Sequence, residues 1–139
     1  MSKPDTYVYV IAVQGQPCVK VGVAGNPHKR LKQLQTASPF SLSLAWTTEP
    51  TTRLNALRCE AGVHFVMGAA RLSGEWFRAT PQVATAIAMG VDELVQKNAA
   101  LDLATLATGF IGFEQAISEG GDTFSAFMAL HALFEQRLR

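Results

Sequence analysis

The sequence predicts an α+β fold, a small three-stranded antiparallel sheet flanked by helices and followed by a C-terminal helical extension. Three observations carry this. Residues 7–47 hold three segments dense in β-branched and aromatic residues. A stretch opened by Asn26-Pro27, a helix start, separates the second from the third. From Pro81 onward the apolar residues recur with helical spacing, broken by Gly109, Gly112 and Gly120-Gly121.

In chain order, Tyr7-Val8-Tyr9-Val10-Ile11-Ala12-Val13 reads as a strand and Gln14-Gly15-Gln16-Pro17 as a turn. Cys18 to Val23 alternates, with valines on one face and Cys18, Lys20 and Gly22 on the other, so the two segments form a hairpin. Asn26 caps the first helix, which turns Leu31 and Leu34 inward. It stops near Ser38-Pro39, because a residue before proline avoids the helical region. Residues 41–47 alternate again as a third strand, and 53–67 read as a second helix. Arg71 to Gly74 reads as a loop, and Glu75-Trp76-Phe77 begins a short extended segment. Helices are expected over 81–98, 101–108 and 122–138. The natural division is a domain at 5–79 and an extension at 80–139, either packed on that domain or mediating self-association.

Composition sets limits on function. With 48% hydrophobic and 17% charged residues the chain is globular rather than disordered. No apolar run is long enough to span a bilayer, and the first residues lack a signal-peptide pattern. Cys18 and Cys59 have no CxxC spacing, which excludes a zinc site built on cysteine pairs and suggests two buried thiols in a reducing cytoplasm. Residues 1–79 hold nine Lys/Arg against four Asp/Glu, and residues 80–139 three against seven. Cationic surface for phosphates therefore belongs to the first half.

Four residues carry candidate chemistry on this frame: Tyr9 on the first strand, Lys20 on its hairpin partner, Arg30 one turn into the first helix, and Glu75 after a glycine. A phosphodiester hydrolase needs a base for water, a cation for the phosphoryl oxygens and a hard divalent metal for the departing oxyanion. Magnesium often takes one or two protein carboxylates, so Glu75 alone is an adequate protein ligand. Free tyrosine, with a pKa of about 10, is a poor base at neutral pH. An ammonium nearby lowers that value, which makes Lys20 the expected activator. Glu60 and His64 share a helical face by their spacing, as a surface pair or as partners orienting Glu75 or Arg30. Lys20 also reads as an edge lysine, and Arg30 as one member of the solvated cluster Lys29-Arg30-Lys32.

These residues resemble a family. Val8-Tyr9-Val10, then Lys20-Val21-Gly22, then Arg30 resemble the GIY and YIG strands and the arginine-bearing helix of the GIY-YIG nuclease superfamily. The branch with a lysine in place of the tyrosine of YIG, associated with phage and meiosis, is the nearest likeness. Its glutamate and histidine four apart on the second helix are matched by Glu60 and His64, and its closing motif by Gly74-Glu75-Trp76-Phe77. The likeness covers roughly residues 7–78. It implies that Tyr9 activates the attacking water, Lys20 supports it, Arg30 binds the scissile phosphate and Glu75 holds Mg²⁺ or Mn²⁺. It also implies that Gly22 lets the backbone pass close to the site. Lys29 and Lys32 would join Arg30 in binding DNA. The chain departs from the family pattern at Tyr7, which stands where GIY has its glycine, and at Leu34, where many relatives place a histidine.

The expected protein is a metal-dependent DNA endonuclease of the cytoplasm or nucleoid. Two other classes stay open on the residues: a DNA-binding module of the same fold that does not cut, and an interaction protein acting through residues 80–139. The apolar, Phe-rich stretch 122–138 makes a homodimer through the C-terminal helices a further expectation.

Overall fold

The computed structural model describes residues 3–97. The expected elements at 101–108 and 122–138, and the self-association assigned to them, lie outside the described residues.

The first hairpin pairs β1 (Tyr7–Val13) with β2 (Cys18–Ala24), with Tyr9 opposite Gly22 and Ile11 opposite Lys20. The helix α1 (Pro27–Thr36) starts at the expected cap, where the Asn26 side chain accepts the Lys29 N–H at 3.1 Å. The strand β3 (Leu42–Thr47) pairs with the other edge of β1, with an irregularity between Val10 and Ile11. The helix α2 (Arg53–Val66) is capped by Thr52, and α3 (Pro81–Gln96) by Thr80, whose hydroxyl accepts the Val83 N–H at 3.2 Å.

The α+β class holds, but the sheet has five strands in the order β3-β1-β2-β5-β4, rather than three. The extra strands are β4 (Arg71–Ser73) and β5 (Trp76–Arg78), joined by the two-residue turn Gly74-Glu75. Gly74 has φ +56°, a conformation a two-residue hairpin demands and glycine supplies without strain. All three residues of β4 are exposed and none alternates with a buried neighbour, so its sequence carries the composition of a loop.

Both faces of the sheet are covered, and unequally. On one face Val8, Val10, Val19, Val21 and Phe77 meet Ala56, Cys59, Val63 and Val66 of α2 and Val83, Ile87, Val91 and Leu94 of α3 in one apolar cluster. α3 is thus part of the same core as the sheet. On the other face Tyr9, Ile11, Val13 and Leu42 are joined by the half-buried Leu31 and Leu34 of α1, and by Leu44 and Trp76. No helix among the described residues is long and apolar enough to cross a membrane.

Candidate active site at the parting of two strands

The site forms where β5 leaves β2. The two pair from Cys18 to Lys20 and then separate. Beyond that point Val21 would have an unpaired N–H and C=O inside the protein, a costly state. Two groups fill the gap. The Val21 N–H donates to the Glu75 carbonyl at 3.1 Å. The Val21 carbonyl accepts from His64 Nε2 at 2.8 Å, which fixes the proton on that nitrogen because a carbonyl has none to give. The His64 ring also rests on Phe77, centroids 5.1 Å apart. His64 therefore orients β2 itself, rather than the Glu75 carboxylate or Arg30.

Held at this turn, Glu75 directs its carboxylate to the other face. Glu75 Oε2 accepts from Lys20 Nζ at 2.8 Å, and the Lys20 ammonium also lies 5.6 Å from the centre of the Trp76 ring. The Lys20 side chain is 9% exposed and that of Glu75 41%, so the pair opens to solvent on its carboxylate side.

Gly22 is where the site converges. A methyl on Gly22 would land against the Tyr9 hydroxyl, 2.7 Å from Tyr9 Cζ and 3.1 Å from Glu75 Oε2. The phenol and the carboxylate thus meet over the one residue of β2 that has no side chain. The Arg30 guanidinium, which donates to Gln33 Oε1 at 3.4 Å on α1, lies close enough to the Tyr9 phenol to favour its ionised form. Tyr9 itself is 1% exposed, and the solvent-facing groups around it are Arg30 and Glu75.

Electrostatics amends one expectation. The Tyr9 pKa lies above the ordinary phenol value. Burial is the largest cause and the Glu75 charge adds to it, while Arg30 opposes both. The cation acting on the phenol is Arg30, and Lys20 is engaged with Glu75. Sequence spacing could not reveal this, because Lys20 finds its partner through a three-residue strand.

Glu60 lies behind the pair on α2. Its Oε2 is buried and has no hydrogen-bond partner. Its pKa is raised, first by burial and then by Glu75, against the pull of His64 and Lys20. Lys29, Arg30 and Lys32 are exposed on α1, which carries no acidic residue. Of the two thiols, Cys59 is buried in the core with its pKa pushed up by desolvation, and Cys18 is half-buried.

Seven predicted residues are therefore gathered at one end of the sheet: Tyr9, Lys20, Gly22, Arg30 and Glu75 on one side, and Glu60 and His64 at the gap between strands. Lys29 and Lys32 flank them on α1. Trp76 lies beneath the Lys20 ammonium and also packs against the Tyr9–Leu42 cluster, so it serves both site and core. A separate cavity of about 690 Å³ at the β1–β2 turn is lined by residues such as Gln14, Ser41 and Gln82, with no charged side chain, and has none of this chemistry.

Fold and site together define a small α+β protein that gathers a phenol, two cations and paired carboxylates at the open end of its sheet. Residues 6–92 match the T5orf172 domain, and the chain belongs to that family. It is a phage-associated domain with a relationship to nucleases. No curated protein and no solved structure matches the chain.

Proposed function

We propose that this protein is a GIY-YIG-type, metal-dependent DNA endonuclease that hydrolyses phosphodiester bonds. The observation that carries the reading is the convergence of the Tyr9 hydroxyl and the Glu75 carboxylate on Gly22, with the Arg30 guanidinium at the phenol.

The residues fit a magnesium-type cation. Among the described residues no group of three or more His, Cys, Asp or Glu stands together as a ligand set. A hard divalent ion needs only one or two carboxylates, its own waters and substrate phosphate. Glu75 is half open to solvent and would hold it. The partnerless Glu60 oxygen is an acceptor without a donor, next to a second carboxylate, as a site awaiting positive charge requires. When bound, Mg²⁺ or Mn²⁺ supplies charge neutralisation at the departing sugar oxygen.

The chain's own groups do the rest. Arg30 binds the non-bridging oxygens of the scissile phosphate, and Lys29 and Lys32 hold neighbouring phosphates. Tyr9 orients the attacking water and, as phenolate, takes its proton, while the phosphorus–oxygen bond to the departing sugar breaks. Lys20 and Trp76 hold the Glu75 carboxylate in place. His64 and Gly22 set the backbone on which this geometry rests.

One observation favours a second reading, a module that binds DNA without cutting it: Lys20 already occupies Glu75 Oε2, and Tyr9 is held protonated. Purified protein incubated with plasmid and branched DNA in Mg²⁺ or Mn²⁺, beside Glu75→Ala, separates the two. Nicking that disappears in Glu75→Ala supports the endonuclease. Salt-sensitive retardation of DNA with no nicks under either metal supports the binding module.

A further inference from the structure

Next to the site is a cavity of about 350 Å³ lined by Tyr7, Gly25, Asn26, Pro27, His28 and Thr47. Its position is fixed by the sheet. Tyr7 precedes Tyr9 by two residues, so both side chains stand on the same face, about 7 Å apart along the strand. Thr47 is the direct partner of Tyr9 on β3. The far wall is the first turn of α1, and Arg30 lies in the next turn of that helix, against the Tyr9 phenol. A phosphate held by Arg30 therefore has this cavity beside it.

The walls indicate what enters. They offer a phenol ring, an imidazole and the flat side of a proline, with no side chain at Gly25, and none of the six lining residues is acidic or a lysine or arginine. An aromatic slot without strong charge suits a planar, neutral, hydrogen-bonding group. Its volume is at the small end for ligand sites and accommodates a single nucleobase. A base inside a duplex is stacked on its neighbours and unavailable, so the occupant must already be unpaired or be turned out. The ring that builds the slot belongs to this chain in particular, because Tyr7 stands where the resemblance expects a glycine.

We propose that the Tyr7–His28 cavity is a subsite for an unpaired nucleobase flanking the scissile phosphate, which makes DNA with a locally unpaired nucleotide the preferred substrate. The inference rests on the nuclease reading and deepens it.

The test is binding of the full chain, in EDTA so that no cutting occurs, measured by fluorescence anisotropy. The probes are a fully paired duplex and the same duplex with one unpaired nucleotide. Wild type should prefer the second by about tenfold, within what one base stacked on an aromatic side chain contributes. Tyr7→Leu should abolish the preference and leave affinity for the paired duplex within about twofold, whereas Tyr7→Phe should keep it. If circular dichroism shows Tyr7→Leu unfolded, His28→Ala on the exposed side of α1 takes its place and should reduce the preference. Equal binding of both probes by wild type, or an equal drop on both in Tyr7→Leu, overturns the subsite and leaves the nuclease reading standing. Absence of binding to either probe overturns the nuclease reading and the subsite together.

Discussion

On one face of the sheet, Val8, Val10, Val19, Val21 and Phe77 are sealed by two helices into a single apolar cluster. On the other, Tyr9, Lys20 and Gly22 face one ten-residue helix whose outer surface is basic and whose apolar contacts, Leu31 and Leu34, are only half-buried. The same strands serve both faces, because successive side chains alternate between them. A domain this small holds costly groups by dividing tasks between its two faces. The sealed face supplies rigidity, so the thinly covered face can keep a buried phenol, a nearly buried lysine and crowded carboxylates in place. α2 belongs to both, with Cys59 and Val63 in the apolar cluster and Glu60 and His64 at the gap where β2 and β5 part.

If that division of labour is right, substitutions on the two faces should separate activity from stability. The largest effect is expected at Glu75. Glu75→Ala should lower the single-turnover cleavage rate by about 10³-fold, with DNA affinity little changed, because it removes the metal anchor but not the cationic surface. Phe77→Ala, on the sealed face, should destabilise by about 3 kcal/mol or more, read as a lower denaturant midpoint. Activity per folded molecule should fall far less than in Glu75→Ala, because Phe77 supports the site indirectly, through the His64 ring.

The third effect concerns pH. The Tyr9 pKa is raised above the ordinary phenol value, so the phenolate is a minor form throughout neutral pH and grows as pH rises. Cleavage should increase by about tenfold per pH unit from neutrality toward the phenol pKa, and Tyr9→Phe should abolish that slope along with most of the rate. A pH-independent rate in wild type would sever Tyr9 from proton transfer.

The smallest effect is at Glu60, and its sign is informative. A carboxyl whose folded pKa is raised binds its proton more tightly when folded, so the protein gains stability as pH falls through that folded value toward the unfolded one. At pH 8 the buried, partnerless carboxylate costs stability. Glu60→Gln should therefore raise Tm by a few degrees at pH 8, and the gain should shrink toward pH 4.5. A Glu60→Gln variant less stable than wild type at pH 8 would show that the carboxylate has a partner the geometry does not reveal.

Much of the fold was legible because its signals are local. The alternation of Cys18 to Val23, the Asn26-Pro27 cap, and the proline after Ser38 act within a few residues of where they are read. β4 was not legible, since three exposed residues carry no alternation and become a strand only by pairing with β5. The site divided in the same way. Order and spacing singled out Tyr9, Arg30 and Glu75. The Lys20–Glu75 pair follows from the register of β5 on β2, and the desolvation of Glu60 from the way α2 packs. Neither is written in any short stretch of chain.

Gly22→Ala probes the convergence itself, because the added methyl lands between the Tyr9 hydroxyl and the Glu75 carboxylate. Single-turnover cleavage in Mg²⁺, with Tm alongside, should show a loss of about 10²-fold or more in a protein that still folds and binds DNA, as that convergence requires. Cleavage by Gly22→Ala at the wild-type rate would contradict it.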